Sequence, residues 1–508
     1  MEVVTGAGAR NHWGFAIATI RLLLPRDGLR RWHKSLADGL AASGHRVLAE
    51  PRHVAAERPA SLALVETLED LLYRRGRPGA SDCLGSDEWP PNEAARGDLV
   101  FDLTGAHETQ RGAIVPLYDG WPGEAARDAA LLAGRAPEIE LALVDGDKRH
   151  VLARGLPALE RPTVLRFARD AVASRVATLA LAVASKPGCG VDRARAASSS
   201  PAPTPPLPFF AASLAAAARR KLRKLVAHED HWRIAVRPLA PGVAPETTLD
   251  RLGDPQWRWA GDDRRRYFAD PFLFEADGVA YVFCEEFPYA TQKGVISVFT
   301  LDAQGVASPA RVVLERPYHL SYPVVFRHEG HIFMMPESCA NRSLEIYRAD
   351  PFPFSWTLDR VVLSGVDISD ATAFPFAGSW WLTGATNAPG TSTWDCLSLF
   401  TGNSPVGPWT PSGDGPVLVD ASAARPAGRI FRHGEELWRP AQDCTRGYGS
   451  GLALCRVDAV GPGVLEQTVM RRYRPKGGLH TFNASERFVA IDGTVARAKS
   501  AWFDGMTL

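Results

Sequence analysis

The chain has 508 residues, which is too long for one ordinary hydrophobic core and predicts two or three domains. Its composition, 45% hydrophobic and 23% charged, is that of a soluble globular protein. The formal net charge of +1 argues against a nucleic acid or a membrane surface as the main partner, because both select a basic excess.

Cysteine usage and the apolar start bear on the compartment. The seven cysteines are scattered without a Cys-x-x-Cys pair, which favours reduced thiols in a cytoplasmic protein over a disulfide framework. The longest apolar stretch near the start, residues 13–25, is interrupted by Arg21 and is too short to span a bilayer. It also lacks a basic leader and a cleavage site, so we interpret it as a strand and expect neither a membrane span nor a signal peptide.

The first segment, residues 12–185, alternates strand-like and helix-like runs. Strands are predicted at 15–25, 46–50, 97–105 and 139–147, and helices at 29–45, 61–75 and 164–185. Alternation of this kind predicts an α/β domain with a parallel sheet.

A linker and a helix follow. Residues 186–208 are rich in proline, serine and alanine, which predicts a semi-extended linker without a core. Residues 209–230 form a helical pattern with a basic far end. Such a helix binds a membrane surface or connects two domains, and the nearly neutral charge of the whole chain favours the connector.

From residue 231 to 508 the sequence changes to short strands with many glycines and aromatics, and it repeats. Residues 270–286, 322–338 and 370–386 align without a gap, each with a phenylalanine four positions before a turn glycine. Residues 427–443 align with one deletion, and 480–493 form a looser fifth copy. Hairpin repeats of about fifty residues are typical of propeller blades, so five copies predict a five-bladed β-propeller.

Acidic residues occupy equivalent positions in these repeats. Asp270 and Asp370 open the first and third copies, where Tyr322 opens the second, and Glu285 and Glu337 share a position near the end of the second strand. Since the first strand of each blade lines the central channel, acids from separate blades should face one opening. Paired carboxylates across a cleft are what glycosidic chemistry requires. We therefore predict Asp270 and Glu337 as the acid/base pair, with Asp370 raising their pKa through like charge.

Other polar side chains are predicted to surround the same opening, where they would bind sugar hydroxyls, a phosphate or a carboxylate. These substrate-binding candidates are Glu285, His319, Tyr322, Arg342, Arg425, Arg439, Gln442, Asp443 and His480. The sequence has no His-x-x-x-His or His-Glu-x-x-His spacing, so neither a metal site nor a cofactor is expected.

Each acid also has a structural interpretation. An aspartate before proline caps nearby backbone N–H groups, Asp277–Gly278 is a hairpin signal, and the Glu285–Glu286 doublet fits strand-end solvation. For any single acid both interpretations stay open, whereas Asp270 and Glu337 taken together favour a functional role.

With these residues assembled, the second half resembles a known family. "YFADPFLFE", "ERPYHLSYPVVF", "MMPESCANRSLEIYRA", "RPAGRIF" and "GLHTFNA" are similar to the N-terminal domain of glucosamine inositolphosphorylceramide transferase. The resemblance covers about 231–495 and implies a five-bladed propeller related to glycoside hydrolase family 43. It also implies that Asp270 corresponds to the channel aspartate that serves as base in those hydrolases.

The sequence departs from the hydrolase pattern in two blades. Those enzymes place a second aspartate on blade two and the acid glutamate on blade three, where this chain has Ser321–Tyr322 and Asp370. In the plant transferase, glycosyl transfer is attributed to a separate C-terminal domain. The resemblance therefore implies a fold and an association with sugars but no particular reaction.

The first half resembles the formyltransferase fold, in "IRLLLPRDGLRRWHKSLADGLAASGHRVLAE", "GDLVFDLTG" and the helix at 164–185. The catalytic Asn, His and Ser-Leu-Leu-Pro run of active formyltransferases is missing, and His107 lacks the preceding Asn, so the domain is expected to be degenerate. "TGAGAR" (5–10) precedes the first strand, which argues against a dinucleotide site.

Three functional hypotheses follow. The first is a cytoplasmic protein of glycan or glycolipid metabolism whose propeller binds a sugar, sugar phosphate or sugar nucleotide, with glycosyl transfer or hydrolysis by Asp270 and Glu337. The second is a non-catalytic glycan-recognition module. The third is a formyltransferase acting on an amino sugar held by the propeller.

Overall fold

The computed structural model describes residues 18–54, 59–73, 78–84, 97–106, 110–146, 148–185, 204–387 and 391–498. These residues form two compact units, of which the first ends at Ala216 and the second begins at Ala217, with Thr391 grouped with the first. Most of the predicted linker, the 5–10 motif and His107 lie outside the described residues. The predicted domain boundaries therefore stay predictions.

The first unit contains one seven-stranded sheet whose main path has the order β2-β1-β3-β4-β6-β7, with β5 paired to β4. Its strands are β1 (Thr19–Pro25), β2 (Arg46–Arg52), β3 (Leu99–Asp102), β4 (Ala113–Tyr118), β5 (Trp121–Pro122), β6 (Ile139–Asp145) and β7 (Lys148–Gly155). β1 is paired on both sides, and its consecutive buried residues Leu22, Leu23 and Leu24 show that a strand covered on both faces is continuously apolar.

The predicted α/β class is confirmed, but the sheet is mixed where a parallel one was predicted. β1 pairs in parallel with β2 and β3, and β3 with β4. β6 runs antiparallel to both β4 and β7. The apolar pattern of a buried strand is the same in both directions, so the sequence carried no signal for this reversal.

Helices cover the first sheet. They are α1 (Arg31–Ala42), α2 (Ala60–Tyr73), α3 (Glu124–Leu132) and α4 (Leu165–Ser185). α1 buries Trp32, Leu36 and Leu40 at helical spacing. α4 packs against the other three helices, which explains why it is apolar on most sides.

The helix predicted at 209–230 is observed as α5 (Pro206–Val226), and its last predicted residues belong to a strand. That strand, β8 (Ala227–Pro238), pairs with the C-terminal strand β28 (Phe488–Ala498). Pairing with a segment some 260 positions away overrides the local helical pattern, and such a partner cannot be inferred from neighbouring residues.

The predicted five-bladed β-propeller is confirmed by the pairing of the remaining strands into five sheets. The last blade has the order β27-β28-β8-β9, so the two ends of the propeller sequence close the ring in one sheet. The strands are β9 (Arg258–Trp259); β10 (Arg266–Ala276), β11 (Val279–Pro288), β12 (Val295–Leu301) and β13 (Arg311–Leu314); β14 (Ser321–His328), β15 (His331–Ser338), β16 (Ser343–Ala349) and β17 (Trp356–Ser364); β18 (Ile368–Phe376), β19 (Ser379–Thr386), β20 (Cys396–Gly402), β21 (Thr410–Pro411) and β22 (Leu418–Val419); β23 (Phe431–His433), β24 (Glu436–Gln442), β25 (Leu452–Gly461) and β26 (Val464–Tyr473); and β27 (Phe482–Ala484). Two short 3₁₀ helices lie at Pro245–Arg251 and Cys339–Asn341.

Hydrophobic clusters fill the space between successive blades. Each cluster joins the facing sheets of two neighbours, so the core of the propeller is divided into sectors around its axis. Going around the ring from the interface between the last and first blades, the five clusters include Ile234 and Val282, Phe283 and Met334, Ile346 and Leu382, Leu397 and Leu437, and Leu454 and Val489.

Candidate functional site at the propeller axis

Three equivalent bulges direct side chains toward the axis. In blades one, two and three the pairing of the first two strands shifts register at Asp270, Tyr322 and Asp370. These residues have φ values of 50°, 46° and 54°, which is unusual for residues other than glycine. Strained backbone repeated at one position in successive blades indicates a constraint imposed by the centre of the molecule.

Asp270 is 4% exposed and links three blades. Its carboxylate accepts hydrogen bonds from the Tyr322 backbone N–H at 3.2 Å and the Thr481 hydroxyl at 2.8 Å. Burial raises the pKa of Asp270, although His480 opposes this shift. Both carboxylate oxygens are thus engaged by other blades of the protein.

His480 lies between two carboxylates. Its Nδ1 is 2.7 Å from Asp492 and its Nε2 is 3.5 Å from Asp270. Burial opposes protonation of His480, but the two acids outweigh it and raise its pKa. Asp492 also accepts from the Asp270 backbone N–H at 2.9 Å.

The ligand atoms of Asp270, His480 and Asp492 all lie within 4.8 Å of one another, the spacing of a metal site. Both ring nitrogens of His480 already face the two carboxylates, so an imidazole that donates to both can satisfy these acids without a metal ion. The three residues therefore carry no metal assignment.

Blades two, three and four meet at a second acidic group. Glu337 accepts from the Asp370 backbone N–H at 3.0 Å and from the Cys339 thiol at 3.0 Å. Asp370 lies 2.6 Å from the Arg425 guanidinium and accepts from the Gln442 amide at 3.1 Å. Burial raises the pKa of Asp370, Arg425 opposes it, and Glu337 and Asp270 add to it through like charge.

Glu285 is held at the rim of this acidic group. It accepts from the Tyr267 hydroxyl at 3.3 Å and lies 3.3 Å from His319 Nε2. Burial, followed by the charge of Asp270, raises the pKa of Glu285 well above its usual range. His319 retains 35% of its side-chain exposure, so this part of the group reaches solvent.

Tyr322 is fully buried and closes the axis beside Asp270. Its hydroxyl contacts the Thr372 hydroxyl at 3.0 Å and accepts from the Gly428 backbone N–H at 2.7 Å, while its ring meets Phe272 edge-on. It was predicted to bind substrate, but its polar atom is used to join blades two, three and four.

Three predicted binding residues are not part of the group. Arg439 is 1% exposed and donates to the Ala423 and Ala424 carbonyls inside blade four, because strand alternation turns it away from the axis. Asp443 is fully buried against Arg474, and Arg342 is exposed and donates to the Gly365 carbonyl. Their predicted role in substrate binding stays a prediction, and the structure places them away from the acidic group.

Sequence reasoning missed an aromatic cluster beside the acids. Tyr448 is 40% exposed, carries the Arg425 guanidinium 5.0 Å above its ring and lies 5.7 Å from Trp394. Trp232 stacks on His480 at 3.9 Å. Tyr448 and Trp394 follow the blade-four and blade-three hairpins, outside the repeated positions, so the repeat alignment gave no signal for them.

The assembled group has an excess of acid. Five carboxyl groups, those of Asp270, Glu285, Glu337, Asp370 and Asp492, lie with two basic side chains, Arg425 and His480. Their oxygens are hydrogen-bond acceptors for a cationic ligand, and the neighbouring aromatic faces supply an apolar surface of the kind that sugar rings contact.

The first unit contains a separate cavity of about 900 Å³ at the carboxyl ends of β1 and β3. Arg26, Arg30, Thr104 and Glu124 contribute to its lining. In the strand order β2-β1-β3 this is the point where successive strands diverge, the usual ligand position in open α/β sheets. The formyltransferase resemblance of this unit stays a prediction.

Comparison with known families bears on the propeller. Residues 261–472 match the family model described as glucosamine inositolphosphorylceramide transferase 1, N-terminal. The resemblance predicted for the second half is thus confirmed over this range. Relatives of that name in Oryza sativa subsp. japonica and Arabidopsis thaliana are 33% identical over 196 residues and 32% over 198.

The match is partial in both directions. It covers 38% of this chain and 26% of each of these two relatives, so the chain aligns with about a quarter of their length.

Similar solved structures include an exo-1,5-α-L-arabinanase from a bovine ruminal metagenomic library, at 15% identity over 47% of this chain and 99% of that one, with a TM-score of 0.32. An α-L-arabinofuranosidase from Lactobacillus brevis is 14% identical over 44% and 81%, with a TM-score of 0.33.

Within the described ranges, no helix is both long enough and apolar enough to cross a lipid bilayer.

Proposed function

We propose that the axial opening of the propeller recognises a sugar as part of glycan or glycolipid metabolism, and that the sugar carries an amino group. One observation carries the proposal: ionisable side chains from all five blades converge beside the exposed Tyr448 ring. The excess of carboxylates favours an ammonium over a phosphate, since like charges repel. The similarity to glucosamine inositolphosphorylceramide transferase supports the same class.

Recognition is better supported than hydrolysis. Asp270 and Glu337, the predicted acid/base pair, each accept a backbone N–H from the neighbouring blade and are 4% and 8% exposed. A nucleophile or base needs a free oxygen facing the substrate, and these oxygens hold the blades together instead.

A second candidate function, glycosyl transfer or hydrolysis, is favoured by one residue. Burial and the charge of Asp270 raise the pKa of Glu285 well above its usual range, which favours the protonated form that a general acid needs. It lies beside the partly exposed His319, so it is closer to an approaching sugar than Asp370 is.

The test is calorimetric titration of the full chain with glucose, glucosamine and glucosamine phosphate. We expect glucosamine to bind more tightly than glucose and the phosphate to bring no gain. Tyr448→Ala should weaken binding about tenfold or more, because an exposed aromatic anchor is lost. Phe354→Ala removes an aromatic side chain of similar exposure, 46%, from the turn between the outer strands β16 and β17 of blade two, and should bind like wild type.

Glu285→Gln separates the two functions. If the protein turns over a glycoside or activated sugar, this variant should lose turnover and keep binding. Equal binding by wild type and Tyr448→Ala, or no binding of any amino sugar, would overturn recognition at this opening.

A further inference from the structure

α5 presents an apolar face to solvent. Its leucines Leu207, Leu214, Leu222 and Leu225 are 46%, 41%, 65% and 70% exposed. Among its residues only Ser213 is buried. Because a helix with exposed leucines is only marginally stable in water, a partner that covers this face would stabilise α5.

The exposed leucines lie on one side of the helix. Their separations of seven, eight and three residues place them within about 80° of one another at 100° per residue. Ala211 and Ala218 fall between them on the same side and are exposed as well. The face is therefore a continuous apolar stripe along the whole helix.

The C-terminal half of the same helix is strongly basic. Arg219, Arg220, Lys221, Arg223 and Lys224 are all exposed, and the segment Pro206–Val226 contains no acidic residue. The net charge of the whole chain is only +1, so this cluster is a local feature that the overall charge conceals. The inference from overall charge, that the helix is a mere connector, does not account for it.

We propose that α5 docks in the plane of an anionic lipid bilayer, with its leucines in the acyl boundary and its basic residues among the headgroups. An exposed apolar stripe flanked by lysines and arginines has the composition of an interfacial helix. Charge complementarity selects an anionic surface, because each basic side chain adds attraction there. This inference stands independently of the proposed sugar site.

Other occupants fit less well. A second copy of the chain would bring another set of five positive charges to the same stripe, which like-charge repulsion disfavours. A nucleic acid would use the charges but leave four leucines in water. Only a surface that is both apolar and anionic satisfies the two halves of the pattern.

The experiment is co-sedimentation of the full chain with vesicles of phosphatidylcholine alone or mixed with phosphatidylglycerol. We expect binding to the mixed vesicles only, weakening as salt is raised. Arg219→Gln/Arg220→Gln/Arg223→Gln should lower binding about a hundredfold, at about fivefold per charge. Leu222→Ser/Leu225→Ser should lower it more than tenfold through lost apolar burial.

Matched variants elsewhere in the chain show whether losing three positive charges or two exposed leucines weakens vesicle binding regardless of position. Arg258→Gln/Arg327→Gln/Arg432→Gln removes three exposed charges from the propeller, and Leu71→Ser/Leu72→Ser removes two exposed leucines from α2; both should bind like wild type. Circular dichroism checks that each variant is folded.

Equal binding to both vesicle types, or equal binding by the α5 and control variants, would overturn the proposal. So would failure of wild type to bind the mixed vesicles. A change of oligomeric state in Leu222→Ser/Leu225→Ser without vesicle binding would assign the stripe to a second copy.

Discussion

Carboxylates at the centre of the propeller serve as acceptors for backbone N–H groups of neighbouring blades. Asp492 bonds the Asp270 N–H, Asp270 bonds that of Tyr322, and Glu337 bonds that of Asp370. A buried N–H without a partner costs about 1–3 kcal/mol, so these acids stabilise the ring wherever a bulge interrupts the strand pairing. Burial also raises the pKa of Asp270, which links the stability of the ring to pH.

The pKa of Glu285 makes the stability of the folded protein depend on pH. Its pKa is raised in the folded protein above the ordinary value of 4.5, so the folded state binds more protons than the unfolded state above that pH. The free energy of unfolding should then decrease as pH rises through the window between the two pKa values, by about 1.4 kcal/mol per pH unit for one proton. Asp270, Asp370 and His480 are shifted in the same direction.

Glu285→Gln removes this titration, so the stability of the variant relative to wild type should increase as the pH rises above 4.5, until the pH exceeds the pKa of Glu285 in the folded protein. Urea unfolding at each pH measures the difference. Glu435→Gln changes an exposed glutamate of the fourth blade and should reproduce the wild-type profile. A difference between Glu285→Gln and wild type that does not vary with pH would show that Glu285 titrates normally.

Residue positions could be predicted from the sequence only where the repeat fixed them. Asp270, Glu337 and Asp370 belong to aligned copies, and the structure brings them to one axis. Asp492 was missed because the fifth copy is the loosest. Arg439 was predicted to face the opening, but side chains alternate along β24 and this one points into the blade. The sequence of a short strand does not show which of its two faces lies toward the axis, because that depends on the neighbouring strands.

At the scale of elements, the hairpins were predictable because their turns are encoded locally. Asp277–Gly278, Glu329–Gly330 and Ala377–Gly378 all have positive φ at both positions, the backbone of a tight two-residue hairpin turn. The closing strand β8 was not predictable, because its partner β28 lies at the other end of the propeller sequence. The direction of β6 and β7 likewise depends on packing and not on a local pattern.

Gly428 shows how closely blades four and five approach. Its φ is 132°, and a Cβ at this position would lie 2.0 Å from the Phe482 carbonyl oxygen. We expect Gly428→Ala to lower the free energy of unfolding by about 3 kcal/mol or more, from strain and overpacking together. Denaturant unfolding followed by tryptophan fluorescence measures it.

Gly415 provides the matched control for that substitution. A Cβ there would meet no atom within 4 Å, so Gly415→Ala should change stability by no more than about 0.5 kcal/mol. Equal losses in the two variants would mean that the contact between Gly428 and Phe482 does not constrain the ring.

At the scale of the whole molecule, the chain combines two units that each bury a core of their own. Ile20 on β1 and Ile234 on β8 are both fully buried, the first in the mixed sheet and the second between the last and first blades. Both are isoleucines and both are fully buried, so the same substitution, isoleucine to alanine, can be made in the core of each unit.

We expect Ile20→Ala and Ile234→Ala each to destabilise their own unit by about 2–5 kcal/mol, the usual cost of a buried cavity. Differential scanning calorimetry of the full chain should then show two transitions, because each unit has its own core. Ile20→Ala should lower only one of them and Ile234→Ala only the other. The transition lowered by Ile234→Ala should also be the one raised by glucosamine, since a ligand stabilises the unit that binds it. A single transition that both variants shift equally would show that the units unfold as one.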